Sequence, residues 1–131
     1  MNKTFLILGS SAAAIAVMLG AFGAHALREK MEPEQLQVFE TGVRYQFYHS
    51  LALILLGIIA EKINAQSAIY AGYGFIAGIV LFSGSLYLLS LRSILGIESW
   101  KFLGPVTPFG GLCFIAGWAL LLISVLKNKQ I

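Results

Sequence analysis

The chain has 131 residues and a mass of 14.2 kDa; 58% of residues are hydrophobic, only 11% are charged, the formal net charge is +3 and the mean hydropathy is +0.82. Soluble domains carry roughly 25% charged residues, so a water-soluble globule is excluded, and the short polar connections leave no room for a separate catalytic domain. The basic excess lacks the dense cluster that nucleic-acid binding needs, and the lone Cys113 has no second thiol for a disulfide or a dithiol redox centre.

Charge is sorted into blocks along the chain. Thr4–Leu27, Tyr45–Ala60, Ser67–Leu91 and Val106–Leu126 contain no Asp, Glu, Lys or Arg, so all 15 charged residues fall in the remaining 45 positions. A charge at the centre of a membrane span costs about 2.5–3.5 kcal/mol on insertion scales, which accounts for that segregation. The expectation is an all-α integral membrane protein, a four-transmembrane-helix bundle forming one domain over residues 1–131. Its spans are placed near residues 4–27, 45–63, 67–91 and 106–126.

The first span has features of a cleavable signal, with Lys3 before an apolar run and Ala24-His25-Ala26 resembling a cleavage site. The run is longer than the roughly 7–15 residues of a signal core, so a retained helix is expected. Two lines of small residues mark it. Gly9, Ala13, Ala16, Gly20 and Gly23 make one seam, and Ser11, Ala14, Met18, Ala21 and His25 make a second on another side. Lipid tails are as apolar as leucine, so membrane helices associate through close backbone approach and interhelical hydrogen bonds. Two seams predict a helix packed between neighbours.

Next comes an amphipathic interfacial segment at about residues 33–44. Pro33 suits the first helical position and Glu32 and Glu34 suit the positive end of the dipole, while Leu36, Phe39, Val43 and Phe47 recur at helical spacing. Glu40 and Arg44 stand four apart and can pair, for only about 0.3–0.5 kcal/mol. The span beginning at Tyr45 is short, and snorkelling by Arg44 and Lys62 makes up its length. The turn Glu61–Gln66 leads to the third span, whose small-residue line is Ala71, Gly74, Gly78 and Ser85. The fourth span carries Gly110, Gly117 and Ser124, with Thr107 predicted as its N-cap and Pro108 as its first residue. Tyr45, Tyr48, Tyr87 and Trp100 are expected in an aromatic belt at one face, Tyr70 and Tyr73 at the other.

An even number of spans puts both termini on one side of the membrane. Basic residues divide almost equally between the two faces, and the clustered Lys127 and Lys129 favour both termini inside.

Ionisable groups inside spans are costly and often functional. His25 ends the first span and His49 begins the second, so a hairpin is expected to bring them to similar depth. Gln46 shares a helical line with His49. A His25–Gln46–His49 cluster is therefore the candidate site, with interhelical hydrogen bonding as its simplest role. Two histidines fall short of a zinc site, so no metal and no cofactor are expected, although a bis-histidine haem or a quinone pocket stays open as an alternative. Trp118 lies deep in the fourth span and its indole N–H needs an acceptor. Ser83, Ser85 and Ser90 are suited to bonding across helices or to a carbonyl one turn back. No nucleotide loop, no nucleophile with its base and no acidic residue within the four uncharged runs is present.

These residues also carry a resemblance. Gly20-Ala21-Phe22-Gly23-Ala24-His25, Phe39-Glu40-Thr41-Gly42 with Tyr45-Gln46 and His49, Leu81 to Tyr87, and Thr107-Pro108-Phe109-Gly110-Gly111 with Phe114 to Trp118 stand in order along nearly the whole chain. Together they resemble a family of small, four-helix bacterial membrane proteins grouped as a domain of unknown function, with vertebrate transmembrane protein 256 similar at a distance. The resemblance implies four spans and a bacterial plasma (inner) membrane location. It implies no activity and no catalytic residue. The expectation is a non-enzymatic membrane protein that binds lipid or a membrane partner, or self-associates. The alternative is a small transporter or channel subunit; with no Asp in the chain and every Glu outside the uncharged runs, a proton-coupled carrier would have to run on histidine.

Overall fold

The computed structural model describes residues 1–63 and 65–129, with the side chain of Ala65 left aside. Four helices dominate it: α1, Lys3–Leu27; α2, Pro33–Ile59; α3, Gln66–Ser90; and α4, Leu103–Lys127. A single further turn, Arg92–Leu95, ends on Gly96, whose φ of 70° is reached without a Cβ penalty. At 25 to 27 residues each, the four rods run about 37–40 Å and are long enough to cross a hydrocarbon core of about 30 Å. Asn64, in the expected turn between the second and third spans, lies outside the described residues.

Asn2 caps α1, its side-chain oxygen accepting from the Phe5 amide at 3.0 Å, and its own amide donates to the Gly57 carbonyl of α2 at 2.8 Å. The helix closes in one wide π turn, Gly23–Leu27. Its first seam faces α2, with Gly9, Ala16 and Gly23 buried and Ala13 and Gly20 half-buried: a Cβ on Gly9 would stand 2.8 Å from the Ser50 carbonyl, so α1 and α2 meet backbone to backbone. The second seam faces outwards. Ser11, Ala14, Met18, Ala21 and His25 are all exposed, so α1 has one packing face and lies at the edge of the bundle. Phe5, wedged over Gly72 and edge-on to Tyr73, reaches past α2 to α3.

The amphipathic lead-in and the second span are one rod. Pro33 starts it and nothing between Glu34 and Ile59 breaks it. Gly42 lies against the Tyr87 ring and the Ser83 carbonyl of α3, so the early turns of α2 pack as tightly as the late ones. In α3 a π turn at Ile79–Ser83 interrupts regular helix. The wider turn separates neighbours: the Ser83 hydroxyl donates to the Gly42 carbonyl at 2.7 Å, while the Phe82 ring turns towards α4. The hydroxyls of Ser85 and Ser90 donate to carbonyls three residues back.

Helix α4 begins four residues before the predicted cap. Pro105 falls in its first turn, where amides have no intrahelical acceptor, and Pro108 lies inside the helix. Thr107 is therefore not an N-cap; its hydroxyl bonds to the Ser85 hydroxyl of α3 at 2.6 Å. Gly110, Gly117 and Ser124 are buried, as their line predicted.

Each helix thus packs mainly on its neighbours in sequence. The apolar core joins Phe5 of α1, Leu53 and Leu56 of α2, Phe75 of α3 and Phe114 of α4. Both termini come to the same end of the bundle. The N-terminal ammonium pairs with Glu61, which holds that carboxyl below the usual carboxylate range, and the Asn128 amide reaches the Lys62 carbonyl.

Candidate functional site

The predicted cluster divides in three. His25 sits on the exposed π turn of α1. That turn is level with Phe39, because a Cβ on Gly23 would touch the Phe39 ring, and Phe39 lies ten residues, about 15 Å of helical rise, from His49. The two histidines are therefore not at similar depth and do not meet. The reason is the length of α2: it runs as one rod from Pro33, so His49 falls in its interior and not near its start.

Gln46 turns towards α1 and α3. It is buried, its amide nitrogen donates to the Ala12 carbonyl of α1 at 2.8 Å, and its oxygen accepts from the Tyr87 hydroxyl of α3 at 2.6 Å. One side chain thereby ties three helices. Tyr87 belongs to this junction and not to an interfacial belt, while the Ser50 hydroxyl donates to the Gln46 carbonyl just beneath.

His49 turns the other way, to α4. The Trp118 indole lies 3.0 Å from its Nε2 and the Tyr45 carbonyl 2.7 Å from its Nδ1. Indole nitrogen can only donate, so Nε2 accepts, the ring proton is on Nδ1, and Nδ1–H donates to Tyr45. Both ring nitrogens of a neutral imidazole are then occupied. The acceptor that Trp118 requires is His49. The imidazole also stacks on Phe114 at 3.6 Å between ring centroids with 12° between planes. An axial haem ligand needs a free ring nitrogen, and a bis-histidine haem needs the second histidine on the other side of the same iron; neither His49 nor His25 meets these terms. Among the described residues no three His, Cys, Asp or Glu side chains converge.

Around His49 lies a groove of about 580 Å³, walled by Tyr45, Tyr48 and His49 of α2, Phe82 of α3, and Gly111, Phe114, Ile115 and Trp118 of α4. It exists because α2 and α4 do not pack backbone to backbone: both lean on α3, and aromatic side chains bridge the gap. Tyr45 contacts Phe82 at 4.8 Å, and Phe75 meets Trp118 at 4.8 Å between centroids. Tyr48 and Trp118 are half-exposed, so the groove opens sideways. His49 lies ten residues from Ile59 and Trp118 nine from Lys127, about 14–15 Å along their helices, which places the groove at mid-depth in a 30 Å core. Its volume lies within the roughly 300–1,000 Å³ of small-molecule sites. Its walls are mostly aromatic and aliphatic faces.

Sequence reasoning found Gln46, His49 and Trp118 but missed the partners Tyr87, Phe82 and Phe114. Tyr87 stands four residues from the end of the uncharged run Ser67–Leu91, where a belt tyrosine also stands, so no sequence signal marked it as a buried partner.

Comparison with known proteins gives the same architecture a family. Residues 19–111 match a family described as a protein of unknown function (DUF423). The UPF0382 membrane protein YwdK of Bacillus subtilis is 44% identical over 126 residues, 95% of this chain and 98% of that one. The UPF0382 membrane protein SH2409 of Staphylococcus haemolyticus is 45% identical over 127 residues, covering 95% and 97%, and SAB0533 of Staphylococcus aureus is 46% identical with the same coverage. No solved structure matches. On a match that runs through all four helices, the chain belongs to the DUF423 family, a family of membrane proteins of unknown function.

Proposed function

We propose that the protein is a non-enzymatic lipid-binding protein of the bacterial plasma membrane, holding one hydrocarbon chain in the aromatic groove between α2 and α4. The observation that carries this reading is the groove itself: about 580 Å³, sideways-opening, at the depth of acyl chains and walled mainly by aromatic rings, with the ring nitrogens of His49 and Trp118 already bonded inside the protein. Lipid chains are the molecules that surround that opening. A quinone head finds no donor on His49, whose two ring nitrogens are already bonded.

Gly111→Leu tests the reading. A Cβ at Gly111 meets only the Phe82 ring, at 3.9 Å, so a larger side chain enters the groove without displacing backbone. Native mass spectrometry of protein extracted in mild detergent is expected to show a retained lipid on the wild type and about tenfold less on the variant, equivalent to about 1.4 kcal/mol of lost contact. Wild-type protein that carries no lipid, or equal retention by Gly111→Leu, would sink the proposal.

We further propose that both termini face the cytoplasm. Lys3, Lys62, Lys127 and Lys129 gather at the end of the bundle that holds the termini, and short basic flanks favour the cytoplasmic side. A fluorescent protein fused to the C-terminus is expected to light up and alkaline phosphatase fused there to stay inactive; the reverse pattern would invert the topology.

A further inference from the structure

On the other flank of α2, a second groove of about 300 Å³ runs between α1 and α2, lined by Val17, Gly20 and Ala21 from α1 and Val43, Arg44 and Phe47 from α2. Among the described residues no carboxylate pairs with Arg44: Glu40, whose spacing allows a pair, does not form one, and the ion pair present is that of the N-terminal ammonium with Glu61. Yet Arg44 lies 15 residues before the end of α2, about 22 Å of rise, which puts its Cα roughly 8 Å inside a 30 Å core measured from the Ile59 end. A cation there must reach for negative charge. Helical side chains lean towards the helix N-terminus, so Arg44 snorkels towards the Pro33 end, where that face of the bilayer carries its phosphates. The groove leads the opposite way: Phe47 lies one turn deeper on α2, and Val17 lies one turn deeper than Ala21 on α1.

We propose that this groove is a binding site for one anionic phospholipid, its phosphate on the Arg44 guanidinium and one acyl chain along Gly20, Ala21 and Phe47. The charge selects the headgroup, and the missing side chain at Gly20 and the short one at Ala21 make room for the chain. This site is separate from the aromatic groove, since the two share no lining residue.

The test uses the full chain reconstituted in vesicles of phosphatidylcholine and phosphatidylglycerol at 3:1, followed by mild extraction and native mass spectrometry of retained lipid. Wild type is expected to retain phosphatidylglycerol about fivefold above its share, matching about 1 kcal/mol per basic side chain at an anionic surface. Arg44→Gln is expected to lose the enrichment, Arg44→Lys to keep part of it, and Ala21→Leu to lower retention of this lipid. Thermal unfolding in detergent reports whether each variant is folded, and Ala21 and Arg44 are exposed, so both substitutions are expected to leave it unchanged. Retained lipid that mirrors the vesicle composition, or enrichment untouched by Arg44→Gln, overturns the proposal. Displacement of the phosphatidylglycerol by millimolar inorganic phosphate overturns it in favour of a free-phosphate site. Gly111→Leu is expected to leave the enrichment intact, so failure here and failure of the aromatic groove are distinguishable.

Discussion

Gly110→Ala is expected to destabilise the protein by about 3 kcal/mol, the upper end of the range for overpacked cores. A Cβ at Gly110 would stand 2.2 Å from the Phe82 amide nitrogen and 2.7 Å from the Leu81 carbonyl carbon. Both obstacles are backbone, so no rotamer change relieves the clash and α3 and α4 must separate at the π turn. That movement also pulls apart the Ser85–Thr107 hydroxyl pair and the Phe82–Phe114 contact beside the groove. Unfolding in mixed detergent with increasing SDS measures it. Gly84→Ala is the control: nothing lies within 4 Å of the added carbon, and a helical glycine replaced by alanine gains up to about 1 kcal/mol of helix propensity. Equal stability of the two variants would contradict the backbone contact between α3 and α4.

Gln46→Leu is expected to cost about 2 kcal/mol, because it leaves the Tyr87 hydroxyl without its acceptor in an apolar interior. Tyr87→Phe removes the orphan at its source and is expected to cost less. The double variant Gln46→Leu with Tyr87→Phe should then be more stable than the sum of the single losses predicts, by on the order of 1 kcal/mol, within the span measured for interhelical bonds in membranes. The same SDS titration gives the cycle. Strict additivity would mean that the 2.6 Å bond contributes nothing to holding α2 against α3.

The two variants sit on either side of what could be read in advance. Gly110 belongs to a line of small residues with helical spacing, and that line alone announced a close helix contact. Its partner, the π turn at Ile79–Ser83, leaves no mark in composition, because an extra residue in one turn changes neither hydropathy nor charge. Gln46 announced itself as a polar side chain in an apolar run, which must find a partner or lose stability. Which helices would supply the partners was not legible.

The misplaced residues share a cause. His25 and His49 were set at equal depth on the premise that α2 enters the membrane at Tyr45, whereas its rod begins at Pro33 and packs on α3 as early as Phe39. The second seam of α1 faces outwards because a fold in which each helix packs on its sequence neighbours leaves α1 with one partner. Thr107 was read as a cap because two prolines flank it; the first turn of a helix tolerates proline, so the start moved back to Leu103.

By itself the sequence determined the address and the number of helices, since charges excluded from hydrocarbon write their own boundaries and small residues write the contact faces. Only the tertiary structure decided who meets whom. Whether Trp118 bonds to His49, whether Gln46 bridges to Tyr87, and whether Arg44 is left without a counter-ion depend on the rotation and relative height of the helices. Those are set by the sum of many weak packing contacts across α3, and no local pattern encodes that sum.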